Sequence, residues 1–172
     1  MAHIHTEPGQ HDLTVSAFIV RDGRLLLHRH KRMGVLMQPG GHVELAEDPW
    51  QALAHEIAEE TGYRLSQLHV LQPRERLCKL SGARVHPYPI CVTTHEVTGL
   101  PGHFHTDLVY ALTTEEEPHE APAPGESSAL VWVSRAELMD LPPEDVFTNV
   151  REIGCYVFDT VLVEWEPIRA RR

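Results

Sequence analysis

The sequence predicts a layered domain of strands and helices, of the α/β or α+β class. Short β-branched and aromatic runs separated by turn residues occur along most of the chain, as is typical of strands. One segment near residue 50 instead repeats its apolar residues every three or four positions, which is typical of an amphipathic helix. With 172 residues, 42% of them hydrophobic, the chain is long enough to bury a core between such layers.

The first predicted element is a β-hairpin. Thr14–Val20 is a β-branched and aromatic run, and Arg24–Leu27 continues the apolar pattern after Asp22 and Gly23. An Asp-Gly pair favours a two-residue hairpin turn. A loop is expected next at Gln38–Gly41, because two adjacent glycines permit backbone angles that are closed to other residues.

A helix is predicted over Pro49–Thr61. Asp48 can cap its N-terminus, a proline at the first helical position is already suited to the helix, and Gly62 suits the residue that follows its end. The apolar residues between these signals form one stripe, made by Trp50, Leu53, Ala54, Ile57, Ala58 and Thr61. This face is expected to pack on the core.

Further strands, an acidic loop and two helices are predicted downstream. The strands are expected near Leu68–Leu71, Pro89–Val97, Phe104–Leu112 and Leu130–Val133. The loop covers Glu115–Ser128, which is rich in acidic residues, proline and alanine. Ser134 can cap a short helix over Arg135–Met139. A longer amphipathic helix is expected over Glu144–Trp165.

Composition and charge argue against several classes of function. The formal net charge is −10 with histidines neutral, and a surface of this sign repels the phosphate backbone, so no nucleic-acid partner is expected. The chain has no apolar run of about 18 residues and no apolar stretch at its start, so no membrane partner and no signal peptide are expected. The three scattered cysteines, Cys78, Cys91 and Cys155, fit free thiols in a reducing compartment. These features predict a cytoplasmic protein.

Three glutamates of the predicted helix are candidate ligands of a divalent cation. Glu56 and Glu60 lie four residues apart, along one edge of the helix, while Glu59 is turned toward the outer face. Like charges at this spacing repel each other, and a divalent cation would offset the repulsion. Magnesium prefers carboxylates and substrate phosphates as ligands. A glutamate-rich face is more often simply solvated, so the surrounding residues must decide between these interpretations.

The segment from Gly41 to Tyr63 resembles the signature of the Nudix hydrolases. That signature is a glycine, five residues, a glutamate and seven residues, followed by Arg-Glu-apolar-any-Glu-Glu-any-Gly-apolar. Gly41 and Glu47 fill the first two positions, and the segment from His55 to Tyr63 follows after seven residues. Every specified position matches except one, because His55 stands where the family has arginine.

The resemblance implies an α/β/α sandwich with a mixed sheet between helices, formed by residues 1–172 as one domain with 1–10 as a mobile tail. It also implies cleavage of a phosphoanhydride bond in a nucleoside diphosphate linked to a further group X. Mg²⁺ would be the cofactor, with Mn²⁺ as a substitute. The partner would be a small nucleotide substrate, and a homodimer would be common for this family.

The resemblance assigns roles to residues of the signature. The implied metal site consists of Glu56, Glu59, Glu60 and the carbonyl of Gly41. Glu56 and Glu59 are also expected to take part in catalysis. Glu47 would pair with His55 and so orient the loop. Because histidine has fewer donors than arginine and an ordinary pKa near 6.5, we expect a slower or more pH-sensitive enzyme than the usual family member.

Candidate site residues also occur outside the signature. Glu126, in the acidic loop, resembles the position of the family's catalytic base, the alternative being an ordinary solvated carboxylate. His103, His105 and Asp107 would share one face of a strand. We favour a role in substrate binding for these three, with incidental polar residues or a transition-metal site as alternatives. Arg29 is a further candidate contact for substrate phosphates.

Two other functions remain open. A Nudix-like nucleotide-binding or regulatory domain without turnover would explain His55 but not the intact glutamates. A small β-barrel oxygenase could bind iron through His103, His105 and Asp107, although the well-capped helix over Pro49–Thr61 argues against an all-β fold. The sequence does not identify the substrate, so nucleoside triphosphates, nucleotide sugars and other nucleotide conjugates all remain candidates.

Overall fold

A nine-stranded sheet lies between helices in the structure, a computed structural model in which residues 11–31, 33–127 and 129–171 are described. The strands are β1 (His11–Arg21), β2 (Arg24–Arg29), β3 (Leu36–Met37), β4 (Gly40–His42), β5 (His69–Gln72), β6 (Cys91–Glu96), β7 (Phe104–Thr113), β8 (Leu130–Ser134) and β9 (Glu166–Arg169). The helices are α1 (Pro49–Thr61), α2 (Arg135–Asp140), α3 (Thr148–Tyr156) and α4 (Leu162–Glu164), with a 3-10 turn at Leu65–Gln67 and a π-helical turn at Val157–Val161. The prediction of a mobile tail at 1–10 lies outside the described residues.

Two long parallel strands organise the sheet. β1 and β7 pair from His11 with Phe104 to Val20 with Thr113. The strand order is β3-β2-β1-β7-β5-β9, with β4 paired to β1, β6 to β7 and β8 to β2. These remaining pairs are antiparallel. The predicted mixed sheet is therefore confirmed.

Side chains that alternate along β1 enter two separate cores. Val15 and Ile19 pack in one cluster with Leu53 of α1. Phe18 packs in the other cluster with Leu138 of α2. All five side chains are almost completely buried. Because successive residues of a strand point to opposite faces, one strand supplies both cores of the predicted sandwich.

The helix α1 begins and ends at the predicted residues. The Asp48 carboxylate accepts a hydrogen bond from the N–H of Gln51, whose side-chain oxygen accepts one from the N–H of Asp48. This reciprocal pair satisfies two N–H groups that have no partner within the helix. At the other end, Gly62 has a left-handed φ of 75° and its N–H donates to the carbonyl of Ala58. These caps fix the register of the glutamates on the helix.

The helix predicted over Glu144–Trp165 begins four residues later, at Thr148, and its helical residues run to Glu164. The N–H of Leu36 donates to the carbonyl of Asp145 at 2.7 Å, and Val146 forms a parallel bridge with Leu36. This pairing with β3 keeps the chain out of the helical conformation until Thr148.

No helix within the described ranges is long and apolar enough to cross a membrane.

Three strands were not predicted, namely β3, β4 and β9, and β4 includes the last two residues of the loop expected at Gln38–Gly41. The strand β9 follows the helical segment and pairs antiparallel with β5 at the edge of the sheet. Pro167 lies within it, and proline is tolerated in an edge strand because the outer side of such a strand needs no N–H donor. The other predicted strands and the short helix capped by Ser134 are present within a few residues of their expected bounds.

Two glycines in left-handed conformations give a matched test of how the acidic loop packs. A Cβ at Gly62 would lie 1.8 Å from the carbonyl oxygen of Glu120, whereas a Cβ at Gly23, at a similar φ of 70°, would meet nothing within 4 Å. We expect Gly23→Ala to cost about 1–2 kcal/mol for its backbone conformation alone. Gly62→Ala should cost clearly more, because the loop must also move. Urea unfolding of both variants checks this, and equal losses would contradict it.

Candidate active site

Two glycines bring the strand β4 directly against α1. The N–H of Gly40 donates to Oε2 of Glu60 at 2.8 Å. A Cβ at Gly41 would lie 2.2 Å from Oε1 of Glu56, so a side chain there would displace this carboxylate. β4 is itself held in the sheet by β1. Both glutamates therefore have defined positions relative to the backbone of β4.

Burial and mutual repulsion make Glu56 and Glu60 unusual acids. Burial raises the pKa of Glu56 to about 7, an effect opposed by His55 and reinforced by carboxylates that include Glu126. Burial raises the pKa of Glu60 to about 8, opposed by the N–H of Gly40 and reinforced by Glu56 and Glu126. A cation would stabilise the ionised form of both acids. The site therefore has the electrostatic character of a cation site.

The donor atoms at this site fit magnesium. The carboxylates of Glu56 and Glu60 and the backbone carbonyl of Gly41 are oxygen donors, the type that Mg²⁺ prefers. Among the described residues, Glu56, Glu59 and Glu60 do not form a group whose carboxylate oxygens all lie within 4.8 Å of one another. Glu59 is 46% exposed and points to His55 instead.

His55 lies between two glutamates. Its Nδ1 is 3.4 Å from Oε1 of Glu47, and its Nε2 is 3.0 Å from Oε1 of Glu59. Burial lowers the pKa of His55, but the hydrogen bond to Glu59 and the surrounding carboxylates outweigh this and raise it overall. The imidazole thus contacts Glu47, as the resemblance implies for this position, and also restrains Glu59.

The acidic loop folds back onto the end of α1. The N–H of Ala123 donates to the carbonyl of Glu59 at 2.7 Å, and the N–H of Glu126 donates to the carbonyl of Ala123 at 2.9 Å. The charge of Glu126 contributes to the raised pKa of both buried glutamates, so its carboxylate lies near them. The backbone of the loop therefore holds Glu126 beside the site.

A cavity of about 520 Å³ opens beside these glutamates. Its walls come from β1, β2, β3, β4, β6, β7, α1 and α3, and its polar lining includes Ser16, His28, Glu60, His95, His105 and Asp107. Asp107 accepts hydrogen bonds from the hydroxyls of Thr14 at 3.1 Å and Ser16 at 2.6 Å. Burial raises the pKa of Asp107, although these two hydroxyls lower it. The cavity thus has the carboxylate of Glu60 on the side of α1 and that of Asp107 on the side of the sheet.

Histidines surround the buried carboxylate of Asp12, close to this cavity. Their Nε2 atoms lie 3.2 Å (His103), 3.4 Å (His42) and 4.0 Å (His105) from Oδ2 of Asp12. Burial and the neighbouring histidines lower the pKa of His105 to about 4. Asp12 was not predicted as a site residue, because the alternation along β7 pointed to Asp107 instead. Only the pairing of Asp12 with His105 across β1 and β7 reveals it.

Two of the predicted substrate residues do not line the cavity, namely Arg29 and His103. Arg29 is exposed, and its guanidinium contacts the carbonyl of Gly34 and the carboxylate of Asp145. His28, to which the sequence assigns no role, also lines the cavity, with its Nδ1 3.7 Å from Oε1 of Glu60. Burial lowers the pKa of His28 to about 4. The signal for His28 in the sequence is its position directly after the apolar residues of β2, which indicates a buried histidine.

Known proteins resemble the chain in both sequence and structure. The family model described as NUDIX domain matches residues 10–153. The crystal structure of a NUDIX-family hydrolase from Clostridium perfringens shares 32% identity with this chain, with a TM-score of 0.73, and the match covers 89% of this chain and 98% of that one.

Two curated relatives give more local matches. A probable DHNTP pyrophosphohydrolase from Lactococcus lactis is 30% identical over 108 residues, which cover 63% of this chain and 57% of that protein. An m7GpppN-mRNA hydrolase from Danio rerio is 37% identical over 105 residues, which cover 58% of this chain and 31% of that protein. The chain thus spans less than two thirds of either relative. Because the family model covers most of the sequence, the chain belongs to the NUDIX family.

Proposed function

We propose that this protein is a Mg²⁺-dependent hydrolase that cleaves a phosphoanhydride bond in a nucleoside diphosphate linked to another group X. The observation that carries the proposal is the pair of acids, Glu56 and Glu60, placed against the glycines of β4, with Glu60 in the lining of the cavity. Membership of the NUDIX family and a relative named as a pyrophosphohydrolase support it.

The ion would be held by Glu56, Glu60 and the carbonyl of Gly41, with Glu59 assisting from its place beside His55. Magnesium, or manganese in its place, would polarise a phosphoryl oxygen and lower the pKa of a bound water. The chain's own contribution is to fix the carboxylates before the substrate arrives. The contacts of Gly40 with Glu60 and of His55 with Glu59 do this.

Glu126 is the proposed general base. It lies in a loop whose backbone is hydrogen-bonded to the end of α1, and its charge helps to raise the pKa of both buried glutamates. A carboxylate held there can accept the proton of the attacking water. Glu47 and His55 are positioning residues, because they act through the glutamates and not on the substrate.

The cavity would bind the nucleotide beyond its phosphates. His105 and Asp107 lie in its lining, and a buried carboxylate such as Asp107 can accept hydrogen bonds from N–H groups of a heterocyclic base. A small-molecule substrate fits a cavity of about 520 Å³, which lies within the usual range for ligand sites. A cytoplasmic location and a homodimer remain predictions.

Turnover of a nucleotide panel tests the proposal. The panel comprises nucleoside triphosphates, nucleotide sugars, dinucleoside polyphosphates, DHNTP and m7GpppN-capped RNA, each with Mg²⁺, Mn²⁺ or EDTA. We expect metal-dependent hydrolysis of at least one compound, measured by chromatographic separation of its products, that Glu60→Gln slows at least about 100-fold, because a ligand of the ion is lost. The control Glu164→Gln removes an exposed carboxylate at the end of α4 and should leave the rate unchanged.

The same panel distinguishes the second candidate, a nucleotide-binding domain without turnover, which His55 favours. In that case no compound would be hydrolysed, while one of them would still raise the melting temperature. Turnover that persists in EDTA would contradict the proposed metal dependence.

Removal of Glu126 tests the identity of the base. We expect Glu126→Ala to lower kcat by about 10²–10⁴-fold, the usual contribution of a positioned base, with little change in KM. The matched control is Glu115→Ala, an exposed glutamate of the same loop. A loss of less than a few-fold in kcat would reject Glu126 as the base.

Restoration of the signature arginine tests the role of His55. The pKa of His55 is raised above its ordinary value, so its positive charge is present at acidic pH and is lost as the pH rises through that pKa. Arginine stays charged throughout. We therefore expect His55→Arg to increase kcat on the alkaline side and to flatten the pH profile. Identical profiles for both proteins would show that the charge at this position does not matter.

A further inference from the structure

We propose that Asp12, His103 and His105 form a second metal site, which takes a zinc ion and is separate from the carboxylates of α1. Among the described residues, these three form the group whose potential ligand atoms all lie within 4.8 Å of one another. The carboxylate comes from the start of β1, and the imidazoles come from the start of β7 and the residue just before it.

The distances match a tetrahedral zinc site. Ligands at about 2.0–2.1 Å from a tetrahedral zinc ion lie about 3.3–3.4 Å from one another. Oδ2 of Asp12 lies 3.2 Å from Nε2 of His103 and 4.0 Å from Nε2 of His105. A shift of less than 1 Å in His105 would bring the second distance to the tetrahedral value. His42, whose Nε2 is 3.4 Å from the same oxygen, is close enough to supply a fourth ligand.

The pairing of the strands brings these ligands together. Asp12 and His105 are direct partners in the parallel ladder of β1 and β7. His103 precedes His105 by two residues and so projects from the same face. His42 enters from β4, where it is paired with Thr14 of β1. Three segments of one sheet therefore converge on a single carboxylate oxygen.

The donor set selects a different class of ion from the glutamate site. Imidazole nitrogens favour zinc and other transition metals, whereas magnesium prefers oxygen donors. The side chain of Asp12 is only 4% exposed, and that of His103 is 11% exposed. A carboxylate buried this deeply is stabilised by a positive ion, because its hydration is lost. These features favour zinc over a solvated cluster of histidines.

The site lies at the wall of the proposed nucleotide cavity. His42 and His105 line that cavity, and His42 directly follows Gly41, which contacts Glu56. A zinc ion here would fix the wall formed by β1, β4 and β7. The inference does not depend on the proposed hydrolase activity, because zinc binding can be measured without a substrate.

Zinc titration of the metal-free full chain tests the proposal. Protein stripped with EDTA and then dialysed is titrated with ZnCl₂ by calorimetry, in the presence of millimolar Mg²⁺, and bound zinc is counted by elemental analysis. We expect one tightly bound equivalent that magnesium does not displace. The double variant His103→Gln/His105→Gln should bind zinc at least about 100-fold more weakly, since loss of a direct ligand exceeds the 10–100-fold effect of an outer partner.

Matched controls separate this site from other zinc-binding groups. Replacement of two exposed histidines elsewhere, His69→Gln/His119→Gln, should leave the affinity unchanged, as should His3→Gln/His5→Gln in the N-terminal segment. Glu60→Gln removes a carboxylate of the other site and should also retain the tight equivalent.

Cobalt provides a readout of geometry. Co²⁺ in a tetrahedral site with nitrogen ligands absorbs visible light much more strongly than octahedral Co²⁺, so the wild type should show an intense band that Asp12→Asn weakens. Urea unfolding of each metal-free variant verifies that it is folded. The proposal is overturned if no tight zinc binds, or if zinc is lost in Glu60→Gln but kept in His103→Gln/His105→Gln.

Discussion

The parallel pairing of β1 with β7 is the constraint on which the other elements depend. β2 and β4 attach to β1, while β5 and β6 attach to β7, so each side of the sheet is built from one of these two strands. Their ladder also sets the polar sites, because it places Asp12 beside His105 and Thr14 beside Asp107. Neither pair would meet if the register shifted, since a shift of one residue turns every side chain to the opposite face.

The sequence predicted the parts of the fold that depend on local interactions. The bounds of α1 follow from Asp48 and Gly62, which act within one turn of the helix ends, and the signature glutamates are carried on that helix. The pairing of Val146 with Leu36 and that of β9 with β5 join segments far apart in sequence, so no local sequence pattern indicates them. Asp12 was not predicted as a site residue for the same reason, because the histidines that contact it lie on β4 and just before β7.

Two kinds of donor atom lie around one cavity. Glu60 and the glycines of β4 form one part of its lining, and His42 and His105, whose Nε2 atoms lie within 4.0 Å of Oδ2 of Asp12, form another. Both groups are partly or largely buried, and burial shifts their pKa values in opposite directions, upward for Glu60 and downward for His105. Magnesium would therefore prefer the oxygen donors and zinc the imidazole donors. The two sets of ligands differ chemically in this way although the adjacent residues Gly41 and His42 belong to different sets.

The long separation between the two central strands has a consequence for biosynthesis. Thr14 and Asp107 are hydrogen-bonded although 93 positions separate them in the sequence. A nascent chain that leaves the ribosome N-terminus first must hold the apolar strand β1 without its main partner until β7 has been translated. Contacts of such high sequence separation fold slowly and leave strand edges open to wrong partners. The topology that creates the site thus leaves one edge of β1 without its partner for the time needed to translate the intervening residues.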